Sequence, residues 1–358
     1  MTDGATSSAT SSAISAGPRR RARSARASRV PIAARVLACC ALLTGCAQGQ
    51  YLTQAERIGP DSGGDSCRPY LVALDATGNY YTRDILTGAA VGAAGGASLG
   101  ALLGQNLKST LIGAAAGAVA GGAAGYWTAL QQKSQDEAVL SQRFSGDIAR
   151  DNAEIDRTQL AFNALTDCRV RQADAIRADY RAQRIDRPTA LARMAQVKQW
   201  ARHDAEVGRR IESRIQDRSA QFQTAAEHLS PGTDAAVATA YAPPPSRPAT
   251  LREAAPLTLH PGPTAPSVAS LPAGAPVTVT AAQGGYALVQ TPTGERGYTP
   301  LSALAGPGAS PNAENTPQLN GGGEVRTLAG SNAARRDQFA QSVSVASHNA
   351  ADGFDLSG

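Results

Sequence analysis

Hydrophobic and polar positions follow four rhythms in succession along the 358 residues of this chain. The first is a short apolar run, Val36-Leu37-Ala38-Cys39-Cys40-Ala41-Leu42-Leu43. The second spans Gly88 to Gly125, where almost every side chain is small or aliphatic, Lys108 is the one charge, and glycine recurs at every fourth position. Residues 128 to 229 form the third, a polar stretch with one proline and two glycines. Its apolar residues Phe144, Ile148, Ile155, Phe162, Leu165, Ile176 and Tyr180 keep helical spacing. At Arg184-Ile185-Asp186-Arg187-Pro188 the pattern breaks, with Asp186 placed to cap a helix entered through Pro188. The second arm then repeats at seven: Met194, Ala201, Gly208, Ile215, Phe222, Leu229. A neighbouring row, Val197, Asp204, Ile211, Arg218 and Ala225, alternates apolar with charged, so the seam reads as imperfect. The fourth rhythm, from Ala249 to Leu304, has a period of two and is punctuated by Gly and Pro, as in a small β-barrel.

These rhythms predict a mostly α chain: one helical hairpin over 83–127, a long antiparallel helical hairpin over 128–230, and a small all-β barrel over 249–305. The first arm of the long hairpin reaches up to about 85 Å if unbroken. A proline-rich linker is expected over 231–248, around Pro243-Pro244-Pro245. Residues 46–82 read as a polar tether with a short ordered end near 67–81. The tail 306–358, rich in Gly, Ser, Asn and Ala, reads as disordered apart from a short helix near 333–344. The chain is therefore multi-domain with disordered ends.

The glycine stripe carries the most specific expectation. Gly88, Gly92, Gly96, Gly100 and Gly104, then Gly113, Gly117, Gly121 and Gly125, form a glycine zipper whose missing side chains let another backbone approach closely. Each glycine costs a helix about 1 kcal/mol relative to alanine, so tight packing or a membrane must offset the loss. Each arm is near the ~20 residues that span a bilayer. At 3.6 residues per turn a four-residue stripe creeps about 40° per step, too far for one straight partner. Each zipper helix is therefore expected to meet its hairpin mate and another subunit, giving a homo-oligomer. A hairpin buried in one soluble subunit, or a low-complexity loop, is the alternative. Tyr126 and Trp127 sit at the zipper exit, either at a membrane boundary or as ordinary packing residues.

Charge changes the picture of the N-terminus. The net charge is +5, but residues before Cys46 hold seven arginines against one acid, and the remainder is near neutral with 27 basic and 28 acidic residues. A positive leader followed by an apolar run has the form of a secretory signal, here residues 1–45. The basic balance thus belongs to a removable segment and does not argue for nucleic acid. Leu43-Thr44-Gly45-Cys46 resembles the bacterial lipobox, which implies a lipidated Cys46 at the mature N-terminus. No Asp follows that cysteine, and in the family pattern this favours the outer membrane, periplasmic face. Several acyl chains make a lasting anchor, where one would be marginal.

Cys39 and Cys40 leave with the signal, so Cys67 and Cys168 remain. In an oxidising compartment this even remainder points to a disulfide, with two buried thiols as the competing reading.

The order of short strands in the distal module resembles the bacterial SH3-like domain. Ser270-Leu271-Pro272-Ala273-Gly274-Ala275-Pro276-Val277 matches its Leu-x-x-Gly-x-x-Val turn, and Gly294-Glu295-Arg296-Gly297-Tyr298-Thr299 matches its Gly-x-x-Gly-aromatic hairpin. Tyr298 stands where that family usually has Trp, and the Arg of its early segment is absent. The resemblance implies binding of peptidoglycan or a peptide. Tyr286, Arg296 and Tyr298 are the candidate contacts, or else the tyrosines complete a tiny core.

Catalytic chemistry is not expected. The four histidines, His203, His228, His260 and His348, lack metal spacing, and no nucleophile motif or paired carboxylates occupy a plausible site. No catalytic, cofactor-binding or metal residue is assigned, and no cofactor is implied. The lipobox and zipper together look like SlyB-type glycine-zipper lipoproteins. The expected role is a lipid-anchored cell-envelope structural protein that meets membrane through its anchor and zipper, and peptidoglycan or an envelope protein through its distal module. A docking scaffold for a secretion or polysaccharide-export machine, and a pore former, are the alternative functions.

Overall fold

The computed structural model describes residues 52–81, 123–242, 244–309 and 323–356, all within one compact unit, Leu52–Gly358. It is mostly helical, with a separate antiparallel seven-stranded sheet. Among the described residues no helix is long and apolar enough to cross a membrane.

The helical part starts with α1, Gln54–Ile58, closed by a capping box in which Thr53 accepts from the Glu56 N–H and Glu56 reaches back to the Thr53 N–H. A helix over residues 68–81 follows (α2). After Gly125–Lys133 (α3) come the two long arms, Glu137–Arg181 (α4) and Arg187–Leu229 (α5). The expected reversal holds: Asp186 caps α5 by accepting from the Thr189 N–H at 3.0 Å, with Pro188 in the first turn. The first arm, however, is broken. Asp136 caps a new start by accepting from the Val139 N–H at 3.1 Å, so α3 and α4 are distinct. With 45 residues α4 extends about 68 Å rather than 85 Å.

Three further regions depart from the sequence reading. The segment 231–248 contains a helix, Thr233–Ala240 (α6), begun after Gly232 in the left-handed region at φ +85°. Residues 54–66, expected as tether, dock on the bundle together with the expected ordered end at 67–81: Ile58, Leu71, Leu74 and Tyr81 share one core with Ile155, Phe162, Ile211 and Phe339. The largest correction concerns the tail, where Gly323–Asp352 forms one helix of 30 residues (α7). It packs along α4 and α5 through Val325, Ala329, Ala333, Phe339, Val343 and Ala350, converting the hairpin into a three-helix bundle. Small residues on this face let the helix sit deep between its neighbours, so packing stabilises a sequence whose composition reads as disorder.

The sheet is built from β1 (Arg247–Leu251), β2 (Ala255–Thr258), β3 (Ser267–Leu271), β4 (Pro276–Gln283), β5 (Tyr286–Gln290), β6 (Arg296–Pro300) and β7 (Leu304–Ala305). Their order is β3-β2-β6-β5-β4-β1-β7, and every pairing is antiparallel. Gly284 and Gly285, both at positive φ, make the two-residue turn between β4 and β5 that hairpins of this length require. Register shifts at Val279/Ala281 and Leu257/Thr258 let the sheet curl. One face closes over Leu251, Leu257, Leu271, Val277, Val279 and Val289. The other carries Leu288, Tyr298 and Leu259 against Val170 of α4 and Val345 of α7.

Candidate functional site

Cys46 and the zipper glycines Gly88, Gly92, Gly96, Gly100, Gly104, Gly113, Gly117 and Gly121 lie outside the described residues. Gly125 is the buried first residue of α3. The structure defines the two roots of the zipper segment, Tyr80–Tyr81 at the end of the described part of α2 and Tyr126 at the start of α3.

Both roots are held by one turn of α5. The Arg218 guanidinium lies 5.1 Å from the Tyr80 ring centroid and 5.2 Å from that of Phe222, and its Nη2 donates to the Tyr80 hydroxyl at 3.1 Å. Phe222 in turn meets the Tyr126 ring edge-on at 4.9 Å. Arg218 pairs with Asp151 of α4, which is 1% exposed and also accepts from Asn332 of α7 at 2.9 Å. The Tyr126 hydroxyl donates to Asp147 at 2.9 Å, and Trp127 stacks on His228 at 4.8 Å. In this structure both aromatics therefore pack against the bundle.

A second clamp ties the start of α2 to α4. Cys67 and Cys168 form a disulfide with Cα atoms 5.8 Å apart. Beside it Arg169, 2% exposed, donates from Nη2 to Asp65 at 2.7 Å and from Nε to Asp204 at 2.6 Å, with the Trp200 ring 5.3 Å away. Two carboxylates share one guanidinium here, and their environments separate them. Burial pushes the Asp204 carboxyl up, more than the Arg169 contact pulls it down. For Asp65 the burial penalty is outweighed by Arg169 and by the Cys67 N–H, and its carboxyl is lowered. Arg57 and Asp75 make a further pair at 2.7 Å between α1 and α2.

The three ligand candidates of the sheet come together on one face. Leu288 pairs with Tyr298, Tyr286 with Pro300, and Gln290 with Arg296 across β5 and β6. The centre of that face meets helices rather than solvent, while Tyr286 and Arg296 are half-buried: Tyr298 is 1% exposed, and burial raises its phenol to about 12, with Arg296 as an opposing influence. Arg296 donates to Ser344 at 3.2 Å, Asn349 donates to the Arg296 carbonyl at 2.8 Å, and His348 contacts the Gly294 carbonyl. His260 pairs with Asp167 of α4 at 2.8 Å. Among the described residues no group of three or more His, Cys, Asp or Glu side chains is placed to hold a metal ion.

Sequence reasoning points to the Cys67–Cys168 bridge of the second clamp, with two buried thiols as its alternative, but misses the ion pairs of both clamps. The one signal of those pairs is the seam row, where Asp204 and Arg218 look like defects and prove to be members of cross-helix ion pairs.

Residues 68–129 match the family of YMGG-like Gly-zippers. The match begins one residue after Cys67 and ends inside α3, so it takes in both roots; it supports a glycine-zipper segment and a membrane-associated role. No curated protein matches the chain, and no solved structure does.

Proposed function

We propose that the chain is a lipid-anchored structural protein of the bacterial outer membrane, facing the periplasm. Cys46 carries the lipid, the glycine zipper inserts or oligomerises in the membrane, and an SH3-like module presents its β5–β6 face to peptidoglycan or an envelope protein. The observation that carries the reading is the joint grip of Arg218 and Phe222 on Tyr80 and Tyr126. The described ends of the matched segment lie beside the same turn of α5, which suits a hairpin excursion into an apolar layer. The bundle below then stands as a rigid mount, cross-linked by Cys67–Cys168.

The test is excision. A chain in which a short Gly/Ser bridge replaces residues 84–122 joins roots that are already neighbours, and is expected to keep its thermal stability and disulfide. With Cys46 intact it should stay membrane-bound but sediment as a monomer in mild detergent; with Cys46→Ser as well it should be soluble. Persistent oligomers in the excised chain would rule out zipper assembly. Membrane retention of the excised Cys46→Ser chain would rule out the two-part anchor.

A further inference from the structure

The β5–β6 face that the proposed function assigns to an external ligand is covered by the chain itself. We infer that the end of α7, Ser344 to Asn349, is an intramolecular plug on this face, and that the sheet must undock from α7 and α4 before Tyr298, the buried member of the three candidates, can join the half-buried Tyr286 and Arg296 in meeting a ligand. The inference rests on that reading for the identity of the ligand, and on the geometry of the interface for the plug.

Three observations carry it. First, the contact is poorly satisfied. Among the described residues the Tyr298 hydroxyl and the Arg296 Nε are buried without a hydrogen-bond partner. Each such group forfeits its hydration, so the closed arrangement is held below the stability that a matched interface would have. Both atoms are donors on the same face of β6, a set that suits an acceptor-rich ligand such as a peptide carboxylate.

Second, the interface is not filled. A cleft of about 610 Å³ runs between sheet and helices, lined among others by Val170, Leu257, Val268, His348 and Phe354. The apolar contact proper is limited to Val170, Leu259, Leu288, Tyr298 and Val345, with partly buried neighbours. The far face of the sheet has its own closed core, so the module does not depend on α7 for a hydrophobic interior.

Third, α7 is anchored elsewhere. Phe339 and Val343 lie in the bundle core, Asn332 bonds Asp151 and Asn152, and Gln159 donates to Ser342 at 3.0 Å. When the interface parts, α7 stays with α4 and α5 and the sheet is the body that moves.

The plug is tested in the full-length chain with the α7 double variant His348→Ala/Asn349→Ala, which removes two contacts to the sheet and leaves every sheet residue intact. The rate of Tyr298 nitration reports opening, with Tyr81, 0% exposed in the bundle core, as internal reference. The expected result is about tenfold faster nitration of Tyr298 with Tyr81 unchanged, together with a similar gain in retention on purified peptidoglycan sacculi. Faster Tyr298 nitration without a gain in retention keeps the plug and removes peptidoglycan as the ligand. Unchanged Tyr298 nitration, or Tyr298 and Tyr81 accelerating together, overturns the plug, since the face would then open only with the whole bundle. Val345→Ala, which thins the apolar contact on Tyr298 instead, is expected to act in the same direction.

Discussion

Gly208 makes room for the ring of Phe162: a Cβ added to it would stand 2.8 Å from Cε2 of that ring and 3.3 Å from a Val343 methyl. The three long helices α4, α5 and α7 thus meet at a point where one of them presents bare backbone. Gly208→Ala recovers about 1 kcal/mol of helix propensity but overpacks the seam by about 1–3 kcal/mol. Net destabilisation is expected by thermal unfolding. Adding Phe162→Leu should relieve the clash, so the double variant loses less than the sum of the singles. Additive losses would show that Gly208 does not serve the Phe162 ring.

Replacing Arg218 by alanine takes the guanidinium from Asp151, which is 1% exposed, and removes the stack that joins Tyr80 to Phe222. Breaking a buried pair from one side costs about 3–5 kcal/mol. The remaining bond from Asn332 keeps the expectation at the low end, about 3 kcal/mol, or roughly 6–12 °C in Tm. Arg218→Lys should recover only part of this, since an ammonium cannot stack and pair at once. A variant within about 1 °C of the parent would mean that the root of the zipper is held by something else.

The Cys67–Cys168 bridge spans 101 residues of sequence, including the whole zipper segment. Closing a loop of that size contributes about 4–5 kcal/mol in the chain-entropy account. Reductant should therefore lower the Tm of the parent chain and leave that of Cys67→Ser/Cys168→Ser unchanged, measured by calorimetry with and without the reductant.

Some of this architecture is readable from residues alone, and the parts that are not share a cause. The turn between α4 and α5 is legible because Asp186 and Pro188 act locally, through one hydrogen bond and one fixed dihedral. The β4–β5 turn is local in the same way, since Gly284-Gly285 supplies two positive φ values, but the sequence reading goes no further there than a period of two punctuated by Gly and Pro. Helix α7 is not, because Ala329, Ala333 and Ala350 carry little hydrophobic signal and acquire their burial only from the groove that α4 and α5 make. The break before α4 is missed for a different reason: a capping aspartate amid polar residues looks like any surface position. Asp204 and Arg218 are seen but misread. Their partners Arg169 and Asp151 lie on the opposite arm, and matching them requires the register of one arm on the other. Tyr286, Arg296 and Tyr298 share one face of the β5–β6 pair, as alternation along the strands requires, but the burial of Tyr298 on that face is not legible, because it depends on where α7 lands.

His260 links the sheet to α4 through Asp167, and the pair gives the docked state a pH dependence. Burial of the ring opposes its protonation, but the hydrogen bond and charge of Asp167, with the Pro261 carbonyl, outweigh it and raise the imidazole above its ordinary 6.5. A group raised on folding stabilises fully below its unfolded value and loses that contribution as pH climbs through the raised one. Chemical unfolding followed at pH 6 and pH 9 should therefore show the parent losing stability relative to His260→Ala as pH rises. A constant difference across that range would exclude the pair as the source.

Asp204 and Asp65 flank the same guanidinium, yet their carboxyls shift in opposite directions. Asp204 is pushed above 3.8 by burial, so its protonated form is favoured by folding: its contribution is present below 3.8 and is lost as pH rises through the raised value. Asp65 is lowered, so its contribution is present above 3.8 and is lost as pH falls through the lower value. The two windows lie on either side of 3.8 and can be separated. Asp204→Asn preserves the shape, keeps an oxygen for the Arg169 Nε, and removes a buried charge whose Oδ1 has no hydrogen-bond partner among the described residues. At pH 7 the variant should unfold in urea at the same concentration as the parent or higher, and its advantage should shrink as pH falls toward 4. Arg169→Met, by contrast, leaves two buried carboxylates facing each other and should cost more than about 3 kcal/mol. A loss of that size in Asp204→Asn at pH 7 would mean that the ionised Asp204–Arg169 pair, rather than the Asp65–Arg169 fork and the disulfide beside it, holds the start of α2 on the bundle.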